Sequence, residues 1–293
     1  MKFAAFRTNQ GNGLAVEVDN RFHGLRAGDP GYPGDLLSLL NEGSGAVEAA
    51  GRVLADAPRI DLEKAAFLPP IGNPQKIVCV GLNYKDHSAE SGFKQPDYPA
   101  LFGRFNSSLI GHGAPIVRPQ CSEQLDYEGE LVAVIGRSAR DVEEADALDH
   151  IAGYSIFNDA SIRDYQFKAP QWTPGKNFDD TGAFGPFFVT ADTLPAGCRG
   201  LALSTRLNGA TVQQASIDDM VFPVASLVSI ISKFMTLVPG DLIVTGTPSG
   251  VGLARKPQLF MKDGDVCEVE IEGIGVLSNP VRDQARAPVR QVA

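Results

Sequence analysis

The segment Asp126-Tyr-Glu-Gly-Glu-Leu-Val-Ala-Val-Ile-Gly136 constrains this chain more than any other. Its valines and isoleucine favour a β-strand, and the glycine at Gly136 bounds it. Side chains two apart on a strand share one face. Glu128 and Glu130 therefore point the same way, roughly 7 Å apart at the backbone. Val132 and Val134 continue that face inward. Carboxylates aimed at a core lose their hydration and need compensation, and a divalent cation supplies it. An exposed edge strand with two solvated glutamates satisfies the same pattern, so the spacing alone leaves both arrangements open.

Other polar clusters sharpen the choice. In Asn158-Asp-Ala-Ser-Ile-Arg-Asp-Tyr-Gln166, Asp159 is a candidate third oxygen ligand and Asp164 its rival. Three carboxylates without a His or Cys set suit a hard ion such as Mg²⁺, Mn²⁺ or Ca²⁺. Arg163 and Gln166 lie four and seven residues beyond Asp159, so a helix here would put them on its face. A surface Arg/Asp ion pair fits the same letters. Asn83-Tyr-Lys-Asp-His-Ser-Ala-Glu90 places His87 and Glu90 three apart, neighbours on a helix. A carboxylate beside an imidazole raises its basicity and orients it as a general base, although incidental surface pairs share the spacing. His23, His112 and His150 lack such a partner and read as structural. The loop Thr245-Gly-Thr-Pro-Ser-Gly-Val-Gly252 has neither the P-loop ending nor the dinucleotide order of glycines. It either brings backbone NH groups and Thr247 close to a ligand or simply connects strands. Lys176, in Trp172-Thr-Pro-Gly-Lys176, matters if the fold brings it near the carboxylates.

The chain has 293 residues, 43% hydrophobic and 21% charged, enough for one large globular domain or two modest ones. Residues 1–70 read as a small N-terminal domain. Two strands there are joined at Gly11-Asn-Gly13 and followed by helices over Leu36–Leu40 and Ala46–Leu54. The turn formers of Leu68-Pro-Pro-Ile-Gly-Asn-Pro74 mark a boundary. Residues 71–293 read as a strand-rich α+β domain with few helices, its strands including Ile77–Val80, Leu131–Ile135, Leu242–Thr245 and Val266–Ile271. A helix begins at Pro223, carries Val224, Leu227, Ile230, Ile231 and Phe234 at helical steps, and stops at Pro239-Gly240. The tail after Val281 is polar and reads as a loose end.

A net charge of −9 argues against a nucleic-acid partner, while a local Arg/Lys pocket still suits a small anion. No apolar run reaches the roughly 18 residues of a membrane span. The opening MKFAAFRTNQGNG has too short an apolar run for a signal peptide. Cys79, Cys121, Cys198 and Cys267 form no Cys-x-x-Cys pair and read as buried free thiols in a reducing cytoplasm.

Taken together, these segments resemble the fumarylacetoacetate hydrolase family. The resemblance runs in order from Lys76 to Val281. It is carried by Val80-Gly-Leu-Asn-Tyr84, Asp126-Tyr-Glu-Gly-Glu-Leu131, Gly153-Tyr with Asn158-Asp159, Arg163-Asp-x-Gln166, Lys176, Pro239-Gly-Asp241, Thr245-Gly-Thr-Pro248 and Ile271-Glu-Gly-Ile-Gly275. It implies a mixed β-sandwich roll in an α+β catalytic domain, usually homodimeric. It implies Mg²⁺ or Mn²⁺, with Ca²⁺ as a substitute, on Glu128, Glu130 and Asp159. His87 and Glu90 match a lid pair that activates water, Lys176 a lysine at the metal site, and Arg163, Gln166 and Thr247 groups near the substrate.

The activity implied is hydrolysis of a carbon–carbon bond in a small 2,4-diketo acid. Such substrates are acylpyruvates like fumaryl- or maleylpyruvate, or a sugar-derived diketo acid, giving pyruvate and a carboxylic acid. A decarboxylase or tautomerase of oxaloacetate, or of a related catabolic keto acid, is the alternative within the family. Isomerases of the family often lack the His/Glu pair, which favours hydrolysis. A metal-stabilised binding protein without turnover is the alternative outside enzymology. One departure stands out: Arg104 occupies a position where members often carry Lys, which implies a change in how a distal substrate group is held.

Overall fold

Strand-forming runs punctuated by glycine and proline build two large sheets and a two-stranded pair, Leu125–Asp126 with Ser161–Ile162, in the computed structural model, which describes residues 1–86 and 97–285. The leading strands are β1 (Lys2–Thr8), β2 (Gly11–Val18) and β3 (Arg21–Arg26). Then come β4 (Ile77–Gly81), β5 (Ala100–Gly103), β6 (Gly129–Ile135), β7 (Ile151–Asp159) and β8 (Gly182–Thr190). Last are β9 (Ala202–Leu207), β10 (Ala210–Ser216), β11 (Leu242–Val244), β12 (Val266–Ile271) and β13 (Gly275–Asp283). The larger sheet runs β3-β2-β1-β8-β7-β6-β11-β4-β5, and the smaller one β10-β9-β12-β13. Within these runs only β11 and β4 pair in parallel among the described residues. With few helices beside mixed sheets, the fold is α+β.

Strand β6 sits inside the larger sheet, paired on one side with β7 and on the other with β11. All seven of its residues are buried. This overturns the exposed-edge arrangement for Glu130, and Glu128 just before the strand is buried as well.

The first residues continue the same sheet. β1 pairs with β8, Phe3 opposite Phe188. Phe3, Leu14, Leu36 and Leu54 share one hydrophobic cluster with Val132, Phe157, Phe184 and Phe188. Sheet and core thus run across the turn-rich stretch ending at Pro74. Two helices cover this part: α1 (Leu36–Glu42), whose first turn is capped by Asp35 accepting from the Ser38 amide, and α2 (Ser44–Ala55).

Three local expectations need correction. The β1–β2 turn is Asn9-Gln10, not Gly11-Asn-Gly13. Gly13 lies within β2, where a Cβ would come within 2.4 Å of Phe6 and 2.5 Å of the Leu25 carbonyl. The glycine thus allows a close approach rather than a turn. Helix α3 (Val224–Phe234) follows Pro223 as expected but ends five residues before Pro239. The chain leaves the helix because Leu237 exchanges two backbone hydrogen bonds with Ala139, both 2.9 Å. Among the cysteines, Cys79, Cys198 and Cys267 are buried, but Cys121 is exposed. No helix among the described residues is long and apolar enough to cross a membrane.

Candidate active site

The site grows from the register of β6 against β7. Gly129 lies opposite Asn158, and the Asp159 amide donates to the Glu128 carbonyl at 2.9 Å. This pairing brings the end of β7 alongside the start of β6. Glu128, Glu130 and Asp159 each then offer a carboxylate oxygen within 4.8 Å of the others, all three side chains buried. Among the described residues neither His nor Cys belongs to the cluster. Buried carboxylates this close demand positive charge.

The protein supplies part of it. Lys176, at the end of the helical turn Thr173–Lys176, donates from Nζ to Glu128 Oε2 at 2.5 Å and to Asp159 Oδ2 at 2.7 Å. Arg163 Nη2 forms an ion pair with Glu128 Oε1 at 2.7 Å. Its Nε donates to Asp126 Oδ2 at 2.8 Å and its Nη1 to Gln166 Oε1 at 2.9 Å. The Gly246 amide donates to Glu130 Oε2 at 2.5 Å. Gly246 has φ +99°, where a side chain would be strained, and this turn aims the amide at the carboxylate.

Burial raises Glu130 well above the usual carboxylate range, reinforced by Asp159 and Glu128 and only partly opposed by Lys176 and the Gly246 amide. Burial alone would lower Lys176, but Asp159 and Glu128 outweigh it and hold the amine in its charged form. Burial also opposes charge on Arg163, and there Glu128 and Asp126 win.

Asp159 closes β7 rather than opening a helix; only Arg163–Gln166 form a helical turn, beyond a short strand at Ser161–Ile162. Arg163 and Gln166 reach the site nonetheless. Asp164 turns away and accepts from Ser122 Oγ at 2.5 Å. Thr247 is buried, its hydroxyl donating to the Gly129 carbonyl at 3.0 Å and accepting from Gln213 at 2.8 Å. His87 and Glu90 lie outside the described residues.

A cavity of about 400 Å³ opens above these groups. Glu128, Glu130, Lys176, Arg163, Gln166 and Thr247 line it together with Phe102, Trp172, Val251 and Leu253. It has the mixed character of a small-molecule site, apolar walls with a few convergent polar groups.

Two residues acquire roles that the sequence reading did not give them. Asp126 is fully buried and accepts from the amides of Tyr127, Gly252 and Leu253 as well as from Arg163. Its signal in the sequence is its place two residues before Glu128 in the same acidic segment. Arg104 does not reach the cavity to hold a distal substrate group. Its guanidinium turns into the protein and donates to Asp159.

Residues 76–282 match the family described as fumarylacetoacetate (FAA) hydrolase C-terminal. The mitochondrial oxaloacetate tautomerase fahd2 of Xenopus laevis is 40% identical over 272 residues, covering 92% of this chain and 85% of that protein. A fumarylacetoacetate hydrolase from Exiguobacterium antarcticum superposes with a TM-score of 0.84 at 35% identity, covering 97% of this chain and all of the other. A maleylpyruvate hydrolase from Sphingobium sp. SYK-6, solved with manganese(II) and pyruvate, gives a TM-score of 0.80 at 27% identity over 97% of this chain.

Proposed function

This chain belongs to the fumarylacetoacetate hydrolase family of metal-dependent enzymes, and on that premise we propose that it tautomerises small 2-keto acids of the oxaloacetate type. The proposal rests on one observation above the others: three buried carboxylates, Glu128, Glu130 and Asp159, converging within 4.8 Å. An all-oxygen donor set of this kind fits a hard divalent ion such as Mg²⁺ or Mn²⁺. Bound there, the ion supplies Lewis acidity toward the carboxylate and 2-oxo oxygens of a keto acid.

The chain's own groups do the rest. Lys176 keeps its proton and sets a fixed positive charge beside the carboxylates, where it stabilises negative charge growing on a neighbouring substrate oxygen. Arg163, clamped by Asp126 and Gln166, holds Glu128 in place. The Gly246 amide does the same for Glu130. Phe102, Trp172, Val251 and Leu253 give the same cavity an apolar wall against which a small substrate can pack. Keto–enol exchange moves a proton between carbon and oxygen and consumes no water, so these groups meet its main electrostatic demand. Relatives from Xenopus laevis and Homo sapiens, each 40% identical, bear the name oxaloacetate tautomerase, which supports this reading over hydrolysis.

A second reading, hydrolysis of an acylpyruvate to pyruvate and a carboxylic acid, is favoured by His87 and Glu90 in the sequence. The maleylpyruvate hydrolase that superposes on the chain also supports it. Both readings are tested on protein stripped with a chelator and reloaded with Mn²⁺ or Mg²⁺. Enol-to-keto conversion of oxaloacetate, followed by loss of enol absorbance, should vanish on stripping and return on reloading. A rate unaffected by chelation would sink the metal reading. Pyruvate release from a panel of acylpyruvates, with oxaloacetate enol conversion no faster than background, would replace the first reading by the second.

A further inference from the structure

Arg104 follows the last residue of β5, and its side chain is fully buried. Nη1 donates to Asp159 Oδ1 and, at 3.3 Å, to the Ala160 carbonyl. Nη2 donates to Thr181 Oγ1 at 2.8 Å, and Nε to Ser108 Oγ at 3.2 Å. The Phe157 ring lies against the guanidinium, 5.5 Å from its central carbon to the ring centroid. Gly182 leaves the space for it: a Cβ there would stand 3.0 Å from Nη2 and 3.1 Å from Nε. Arg104 is outside the cavity lining, and these contacts all go to protein.

The consequence falls on Asp159. Its two oxygens are divided between two cations. Oδ1 belongs to Arg104, which is locked by Thr181 and Ser108, whereas Oδ2 meets Lys176 on the cavity side. A carboxylate tethered by one oxygen presents the other in a fixed direction. A lysine in the same place would carry one compact ammonium on a flexible stem. It could not span Asp159, Thr181 and Ser108 as a planar fork does.

We propose that Arg104 is a positioning residue of the metal site. By fixing Oδ1 it presents Oδ2 of Asp159 beside Glu128 and Glu130 as a single-oxygen ligand, and so sets the affinity for the divalent ion. This inference rests on the metal reading above. The opposite sign belongs to a guanidinium that merely neutralises Asp159. Such a group would repel a divalent cation, and its removal would tighten binding. Removal of a positioning group frees Asp159 to rotate toward Lys176, and binding weakens.

The test uses full-length protein stripped of metal. Mn²⁺ affinity is measured by calorimetric titration, and the bound ion by its electron paramagnetic resonance spectrum. Arg104→Met should weaken Mn²⁺ binding about 10- to 100-fold, the range seen when partners of metal ligands are removed. Arg104→Lys should fall between it and the parent protein, with the bound-Mn²⁺ spectrum altered in the methionine variant and partly restored in the lysine one. Thr181→Val, which removes one anchor of the guanidinium, should weaken binding several-fold. Should the methionine variant fail to fold, the lysine and Thr181 variants decide. Equal or tighter binding in the folded variants overturns the proposal while leaving the metal reading standing. No Mn²⁺ uptake by the parent protein overturns both.

Discussion

Asp126→Asn exchanges one oxygen for an NH₂ group at a carboxylate with no exposed surface. Oδ1 accepts from the Tyr127 amide at 2.9 Å and the Gly252 amide at 2.7 Å. Oδ2 accepts from the Leu253 amide at 2.9 Å and Arg163 Nε at 2.8 Å. An asparagine that keeps the first pair turns its own N–H groups against the second. Each buried donor left unsatisfied costs about 1–3 kcal/mol, more when it is charged. Breaking one partner of a buried ion pair costs about 3–5 kcal/mol, and these are two views of one loss rather than separate losses. Arg163 retains Glu128 and Gln166, which keeps the total within that range. At roughly 2–3 °C per kcal/mol for a chain this long, the melting temperature should fall by about 6–15 °C. Scanning calorimetry on metal-free protein near neutral pH measures it. The same variant should lose turnover, because the guanidinium that pairs with Glu128 is no longer anchored from behind by Asp126. A fall of less than about 2 °C with full activity would refute the claim that this carboxylate anchors the arginine.

Three further outcomes are expected. Phe3→Ala should destabilise by about 3–5 kcal/mol, as Phe157→Ala would, and both should shift one calorimetric transition because the two rings lie in one core cluster; a second transition left unmoved by Phe3→Ala would show a separately folding leading segment. His112 is held below the ordinary histidine range by burial, against a smaller opposing pull from Glu268, and its Nδ1 accepts from the Ser278 amide at 3.0 Å. A depressed folded-state value contributes stability present above the unfolded value and lost as pH falls, so melting temperature should drop more between about pH 7.5 and about pH 5.5 in the parent than in His112→Asn; equal drops would remove His112 as the cause. His87→Ala should lower kcat for any acylpyruvate hydrolysis at least about 10²-fold while sparing enol–keto exchange; equal loss of both would tie the residue to the shared step.

Strand parity made the orientation of Glu128 and Glu130 legible, because the period of two is local to the strand. What parity does not contain is the neighbour. The chain places β11 between β6 and β4, although β11 follows β6 by about a hundred residues. Burial of Glu130 depends on that pairing, so the segment alone left an exposed edge open. The letters left Asp159 with Asp164 as its rival and Lys176 unplaced; the collinear run of family motifs, which encodes such long-range pairing indirectly, joined both Asp159 and Lys176 to the glutamates. Arg104 shows the limit of that route. The motif gave its position, but the fold decides which way a long side chain turns, and it turned inward to Asp159.

Once the pairing is known, the charges explain why this cluster of acids is tolerated and what it attracts. Among the described residues, four buried carboxylates, Asp126, Glu128, Glu130 and Asp159, meet three buried cations, Arg104, Arg163 and Lys176. The balance, three minus four, leaves one negative charge unmatched. That place belongs to Glu130, whose hydrogen bond comes from a neutral amide and whose ionisation burial opposes, so without an ion the formal charge is relieved by a proton. On the metal reading proposed above, a divalent ion would turn the balance to one positive charge, which a single substrate carboxylate would neutralise. The same arithmetic applied to a dicarboxylate leaves its second charge to be met outside this cluster. Discrimination among keto acids should therefore lie in residues beyond the triad, while the triad and its cations fix the end of the molecule that all such substrates share.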